Sequence, residues 1–485
     1  MKIHIQNLGL IKETEVDIKP LTIFVGPNNA GKTWLAYALA SIFGPWGLTN
    51  YLEECEAEEV VKQFELLDQV VRQVLATGTA SFDLVEFADT YGEHYFNSMA
   101  TFAQKKMFEF MGTQREDIDD LKISIRLGDT KRNFLENVLQ MQVRNLFGTS
   151  PKEPLLSLRK DRGKKRLNIF ISQQSISLSK DTEDITEGLP PEMQKEVIID
   201  GVFTILHRAL YNHVRILPTE RTTYIAFPFP GAHLDEETSI VRPEAKRGEV
   251  RLAPAVGSFL GMIANTVENE TRIYNRRLQA VKKDTYIKRY VELAEILEEQ
   301  ILGGNVIFSQ QMLEMESAVS LVGGLPARHV LFEPAADIKL PISVASSMVK
   351  ELSSLVLYLR YLAQPGELLV IDEPEMNLHP EAQVRMIEFL ALLVNAGLKV
   401  LITTHSPYVV DHLANLLKAS ASADQERVSD LFYLKRAEAF LSSERVSVYL
   451  IEQGKATNMI EEDGVLELHT FGDVSERISD IFFQL

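Results

Sequence analysis

A chain of 485 residues is long enough for one large domain with insertions, or for two to three ordinary domains of about 150 residues each. Hydrophobic residues at 45% and charged residues at 24% argue against wholesale disorder and membrane residence. The formal charge of −18 argues against a generally basic nucleic-acid coat while leaving room for a local basic groove. Cys55 is the only cysteine, so an intrachain disulfide and a cysteine metal site are both excluded, which fits a reducing, cytoplasmic setting.

In chain order, Lys2–Asn7, Glu15–Ile18 and Leu21–Val25 read as short strands, the last running directly into a glycine-bounded loop. A helix is expected from Lys32 to about Phe43, because Trp34, Leu35, Ala38, Leu39 and Ile42 recur at helical spacing; the pattern stops at Gly44-Pro45-Trp46-Gly47. From 48 to 212 the texture becomes that of an insertion built of acidic amphipathic helices, Tyr51–Leu75 and Phe82–Met111 among them. Two alternating runs, Lys122–Leu127 and Arg166–Ser172, read as strands packed beside them. Residues 213–254 return to the first domain, and 255–303 form a second helical insertion with a break near Lys283-Asp284.

Residues 304–485 complete the domain. Their regular order is helix Ser346–Leu362, strand Glu367–Ile371, helix Pro380–Asn395, strand Lys399–Thr403 and helix Pro407–Lys418, which predicts an α/β fold with a mainly parallel sheet. Leu431–Leu434, Val446–Ile451 and Val465–Leu468 are expected to finish the sheet edge, followed by a helix Val474–Phe483.

Three segments carry chemistry. Gly26-Pro27-Asn28-Asn29-Ala30-Gly31-Lys32-Thr33 fits the phosphate loop GxxxxGK[ST] between an apolar strand and a helix. Its glycines let backbone N–H groups turn inward around phosphate oxygens, and the helix N-terminus adds partial positive charge. Lys32 is expected to reach the β- and γ-phosphates of ATP, and Thr33 to offer its hydroxyl to Mg²⁺. Leu368-Leu-Val-Ile-Asp372-Glu373-Pro374 is an apolar strand ending in adjacent carboxylates. Asp372 is the expected Mg²⁺ partner, and Glu373 the group that orients the attacking water. Lys399-Val-Leu-Ile-Thr-Thr-His405 places a histidine just past the next strand, where it can hydrogen-bond the γ-phosphate.

The combination GPNNAGKT, LLVIDEPEMNLHP and ITTHSP resembles the ABC-type ATPase heads of the RecF/SMC/Rad50 and OLD group. The resemblance implies an ATP- and Mg²⁺-dependent ATPase with Lys32, Glu373 and His405 catalytic. Gly26 to Trp34 would line the nucleotide, and Thr33 and Asp372 would hold the metal. It further implies a head-to-tail homodimer or higher homo-oligomer, each ATP meeting the partner's signature helix. The corresponding segment here is Val344 to Leu352, with Ser346 and Ser347 placed to bind phosphate and Met348 where the family carries glycine, so slow hydrolysis is expected. Asn377-Leu-His-Pro380 resembles the loop that crosses the dimer interface. Leu217-Pro-Thr-Glu-Arg221 resembles the Pro-Ala-Glu-Arg segment of OLD-like ATPases, so Arg221 either touches phosphate or pairs locally.

The residues after His405 lack the acidic arrangement of a Toprim nuclease. The chain is therefore similar to OLD-like ATPases that act through a separate effector, such as the ATPase subunit of the PARIS anti-phage system. The resemblance implies a sensor and scaffold that holds a Toprim nuclease and responds to a phage protein; the alternative is a DNA-maintenance ATPase. Lys152, Arg159, Lys160, Arg162, Lys164, Lys165 and Arg166 form the densest basic run, open to DNA, RNA, an acidic protein surface or plain solvation.

Overall fold

The computed structural model describes residues 1–54, 62–113, 118, 120–147, 154–172, 190–226, 253–309, 329–461 and 464–466. The chain divides into two compact units, one formed by 1–3, 42–105 and 123–212, the other by 4–41, 106–122 and 213–485. No helix among the described residues is long and apolar enough to cross a membrane.

The strands are β1 (Lys2–Leu8), β2 (Ile11–Asp17), β3 (Leu21–Val25), β4 (Thr79–Asp83), β5 (Lys122–Arg126), β6 (Val143–Phe147), β7 (Leu156–Lys160) and β8 (Arg166–Ile171). They continue as β9 (Val214–Leu217), β10 (Asn305–Phe308), β11 (Val330–Ala335), β12 (Ile338–Pro341), β13 (Leu368–Asp372), β14 (Lys399–Thr404), β15 (Val446–Glu452) and β16 (Lys455–Asn458).

The larger unit is a mixed α/β fold around a six-stranded sheet of order β9-β13-β14-β3-β15-β16. The first five strands run parallel and β16 closes the edge antiparallel. β3 and β13 are buried at every position, the continuous apolar pattern expected of parallel strands covered on both faces. Register decides the site. Ile371 pairs with Leu217, Asp372 with Thr403 and Thr404 with Val25, so strands far apart in sequence end together and release their loops at one edge. The helices Lys32–Phe43, Pro380–Asn395 and Pro407–Ser420 follow β3, β13 and β14. Proline occupies the first turn of the latter two, where its missing N–H costs nothing.

The smaller unit holds a four-stranded antiparallel sheet, β4-β8-β7-β6, with the helices Glu65–Thr77, Thr130–Gln140 and Pro191–Leu210. Its core is aromatic: the Tyr95 and Phe203 rings stack at 4.8 Å, and Phe64, Phe87 and Tyr51 pack around them.

Several sequence expectations change. β4, β6 and β7 are strands that the alternation pattern did not announce, because β7 buries Leu156, Ser157, Leu158 and Lys160 and so shows no period of two. The helix expected from Phe82 starts at Leu84, after β4, where Asp83 accepts hydrogen bonds from the Val85 and Glu86 N–H groups at 3.0 Å. Leu431–Leu434 is not a strand: the Glu388 carboxylate takes the N–H groups of Tyr433 (3.0 Å) and Leu434 (2.7 Å), satisfying the backbone without a ladder. The break near Lys283-Asp284 is present, with Asp284 capping the helix Thr285–Leu297. Part of Tyr51–Leu75, the end of Val465–Leu468 and all of Val474–Phe483 lie outside the described residues, as do Cys55 and Lys152.

Candidate functional site

β3 delivers the phosphate loop. Gly26 is required by close approach, since a Cβ there would lie 2.3 Å from the Ile451 carbonyl oxygen, and Gly31 by its φ of 99°. Pro27, Asn28 and Asn29 are exposed and Ala30 and Gly31 half-buried, so the loop stands at the surface. The helix begins at Lys32, with the Leu35 N–H bonded to the Gly31 carbonyl at 3.0 Å. Lys32 is 5% exposed, and its ammonium donates to the Gly26 (3.0 Å) and Pro27 (2.9 Å) carbonyls. Burial lowers its pKa, opposed by the negative charge of Glu373, Asp372 and Glu375. Trp34 is half-buried with its ring against Gly9, in the turn between β1 and β2.

β13 delivers the carboxylates. The Thr33 hydroxyl donates to Asp372 at 3.0 and 3.2 Å, joining residues 339 positions apart. Asp372 is 1% exposed and also accepts the hydroxyls of Thr219 (2.5 Å), Thr403 and Tyr37. The phenol of Tyr37 is pushed well above its usual pKa by burial and by Asp372. A buried carboxylate held by hydroxyls, with a threonine from the loop beside it, is a hard-oxygen donor set. It suits Mg²⁺, which takes one or two carboxylates and fills its octahedron with water and substrate phosphates. No cluster of three or more histidine, cysteine or acidic residues able to hold a metal occurs among the described residues, so such an ion would depend on phosphate and water.

Glu373 has a φ of 49°, and its N–H donates to the Thr403 carbonyl (3.2 Å) and hydroxyl (3.1 Å). This left-handed turn bends the chain sharply just after β13. The His405 ring nitrogen Nδ1 lies 3.5 Å from Glu373 and 3.6 Å from Glu375. Sequence reading missed Glu375. It is 3% exposed and accepts the Thr404 hydroxyl (2.5 Å) and the His405 N–H (3.0 Å), and burial raises its pKa. Thr219 and Thr403 were also missed, although both stand in segments already singled out for other residues.

Arg221 is placed differently from a phosphate contact. It is 1% exposed and donates to the carbonyls of Pro218 (2.8 Å), Asp372 (2.6 Å) and Glu373 (2.8 Å), and it pairs with Glu351. The sequence left open a phosphate contact or pairing around Glu220; apart from the Pro218 carbonyl, the partners found are Asp372, Glu373 and Glu351, all remote in sequence. Glu351 belongs to the helix Ser347–Leu357, which Ser346 caps through the Val349 N–H at 3.3 Å. Ser346 and Ser347 therefore stand at an exposed helix N-terminus, outside the Lys32–Asp372 cluster but tied to it through Glu351 and Arg221. Burial pushes the Glu351 carboxyl up to about 7 against the opposing charge of Arg221.

The parallel sheet, with the phosphate loop and the paired carboxylates at the ends of its neighbouring strands, is the arrangement of a P-loop nucleotide-binding fold. Residues 1–125 match the family model described as AAA ATPase domain, and residues 256–411 match AAA domain, putative AbiEii toxin, Type IV TA system. No curated relative matches the sequence. Among solved structures, an Smc head bound to the C-winged helix domain of ScpA shares 10% identity at a TM-score of 0.36, covering 94% of this chain and 96% of that one. An Smc head with an extended coiled coil, bound to the C-terminal domain of ScpA derived from Pyrococcus furiosus, shares 10% at 0.35, covering 99% and 98%. The SMC head domain from Thermotoga maritima shares 10% at 0.29, covering 94% and 97%. At these TM-scores the fold rests on the strand order above rather than on the neighbours.

Proposed function

We propose that the chain binds ATP with Mg²⁺ and hydrolyses it slowly, and that the nucleotide controls an assembly holding a separate effector. The observation that carries the reading is the hydrogen bond from Thr33 to Asp372. Two residues suited to one metal ion, from opposite ends of the sequence, stand within contact distance. Nucleotide would exchange the Gly26 and Pro27 carbonyls on Lys32 for β- and γ-phosphate oxygens. Mg²⁺, when bound, would supply charge neutralisation of those phosphates, held by Thr33 and Asp372. Glu373 would polarise water, and His405, 3.5 Å from it, would register the γ-phosphate.

Ser346 and Ser347 would meet the phosphates of a second copy in a head-to-tail dimer. Arg221 would couple that helix to the carboxylate turn. Met348 in place of glycine favours ATP as assembly glue over rapid turnover. By resemblance to OLD-like ATPases, the effector would be a Toprim nuclease and the trigger a phage protein, as in PARIS-type defence. The test is ATP retention by two variants: Lys32→Ala loses nucleotide, whereas Glu373→Gln retains it and shifts the native mass to the closed oligomer. Equal trapping by both variants refutes the assignment of roles.

A further inference from the structure

The geometry points to a binding face for single-stranded nucleic acid on the outer side of the β4-β8-β7-β6 sheet, independent of the nucleotide chemistry above. Alternation sends Leu158, Lys160, Leu167, Ile169 and Ile171 inward, all of them buried. It sends Arg144, Leu146, Arg159, Arg166 and Phe170 outward, all of them exposed. The β7–β8 hairpin adds exposed Arg162, Lys164 and Lys165 at one end of this face. Lys160, by contrast, leaves the basic run: its ammonium donates to the Leu139 (2.7 Å) and Met141 (2.9 Å) carbonyls at the end of the helix Thr130–Gln140.

Three features separate this face from an ordinary solvated one. Arg144 stands directly opposite Arg159 on the neighbouring strand, a like-charge pairing that costs stability and that the fold does not require. None of Arg144, Arg159, Arg162, Lys164 and Lys165 has an ion-pair partner among the described residues, although the chain carries a charge of −18. The carboxylate opposite Arg166, that of Asp83, is turned away to cap a helix, while Arg166 donates to Ser81 at 3.0 and 3.1 Å.

The cations call for a polyanion, and the ring beside them selects which kind. Phe170 is 45% and Leu146 42% exposed, on either side of the buried Ser157 in a row across the sheet that Thr79 completes. The parallel row is Arg144, Arg159, Asn168 and Ser81. Phosphates on the arginine row bring unpaired bases over Phe170, beside Asn168, whose amide N–H is held by the Arg159 carbonyl. A duplex keeps its bases stacked inside, beyond the ring's reach.

Anisotropy of a labelled oligonucleotide of about 20 nucleotides with the full-length protein tests this. With roughly five phosphates neutralised, affinity for the single strand should fall about 100-fold between about 50 and 200 mM salt. Phe170→Ala should weaken single-strand binding at least about 5-fold and leave any duplex binding unchanged. Arg144→Ser/Arg159→Ser should weaken it at least about 10-fold and flatten the salt dependence, with an unchanged or higher melting temperature as the folding control. Absence of binding at low salt, a preference for duplex, or variants equal to the parent would each overturn the assignment. So would tighter binding of a polyglutamate peptide, which would give the face to an acidic protein.

Discussion

Replacing Arg221 with methionine tests the brace under the carboxylate turn. The guanidinium and the Glu351 carboxylate are 1% and 0% exposed, so the substitution leaves a carboxyl that water cannot reach without its counter-charge, to be held unpaired or protonated. Breaking a buried pair from one side costs about 4 kcal/mol, and the Pro218, Asp372 and Glu373 carbonyls lose their donor as well. For a unit of this size that is a fall of roughly 6 °C in melting temperature. Glu351→Leu on top of Arg221→Met removes the unpaired carboxyl and should recover about half of the loss.

The pH dependence carries a sign. The Glu351 carboxyl titrates at about 7 in the folded protein and ionises more readily when unfolded, so the folded state binds its proton first. Its cost to stability therefore grows as pH rises from the ordinary carboxyl range towards 7, and the single variant's deficit should shrink on acidification. Calorimetry of the parent, single and double variants from acid to neutral pH measures all of this. A single variant within about 2 °C of the parent, or a double variant no better than the single, would refute the brace.

His207 is fully buried, with Nε2 bonded to the Phe43 carbonyl at 2.8 Å, and burial lowers its pKa to about 4. The unfolded chain takes up this proton first, so about 3 kcal/mol should be lost as pH falls from 6.5 towards 4, and His207→Gln should flatten that part of the melting curve. Gly26→Ala forces a methyl group against the Ile451 carbonyl, so ATP binding measured by calorimetry should be lost or the melting temperature should drop; a variant matching the parent in both would remove the close-approach argument. Thr219→Val takes one hydroxyl from Asp372 and should weaken Mg²⁺-dependent nucleotide binding about 10-fold while leaving the fold intact, readable as a shift in the magnesium titration.

The phosphate loop, the Asp372-Glu373 strand end and His405 were legible in the amino-acid sequence because each is a short run whose chemistry and local conformation share the same few residues. The alternation of strand and helix after residue 338 was legible for the same reason, since periodicity is a local property of the backbone. The resemblance already set Thr33 and Asp372 on one metal ion, but tertiary structure decided the contacts that bring them there. The pairing of Asp372 with Thr403 and of Thr404 with Val25 aligned the strand ends, and so made partners of Thr33 and Asp372. Burial turned Arg221 from a candidate phosphate contact into a brace, and Lys160 from surface cation into helix cap. It gave Glu375, Thr219 and Thr403 their places around the site. A side chain's charge is written in its residue type, but whether water or another part of the chain answers that charge depends on contacts between residues hundreds of positions apart, which no local pattern encodes.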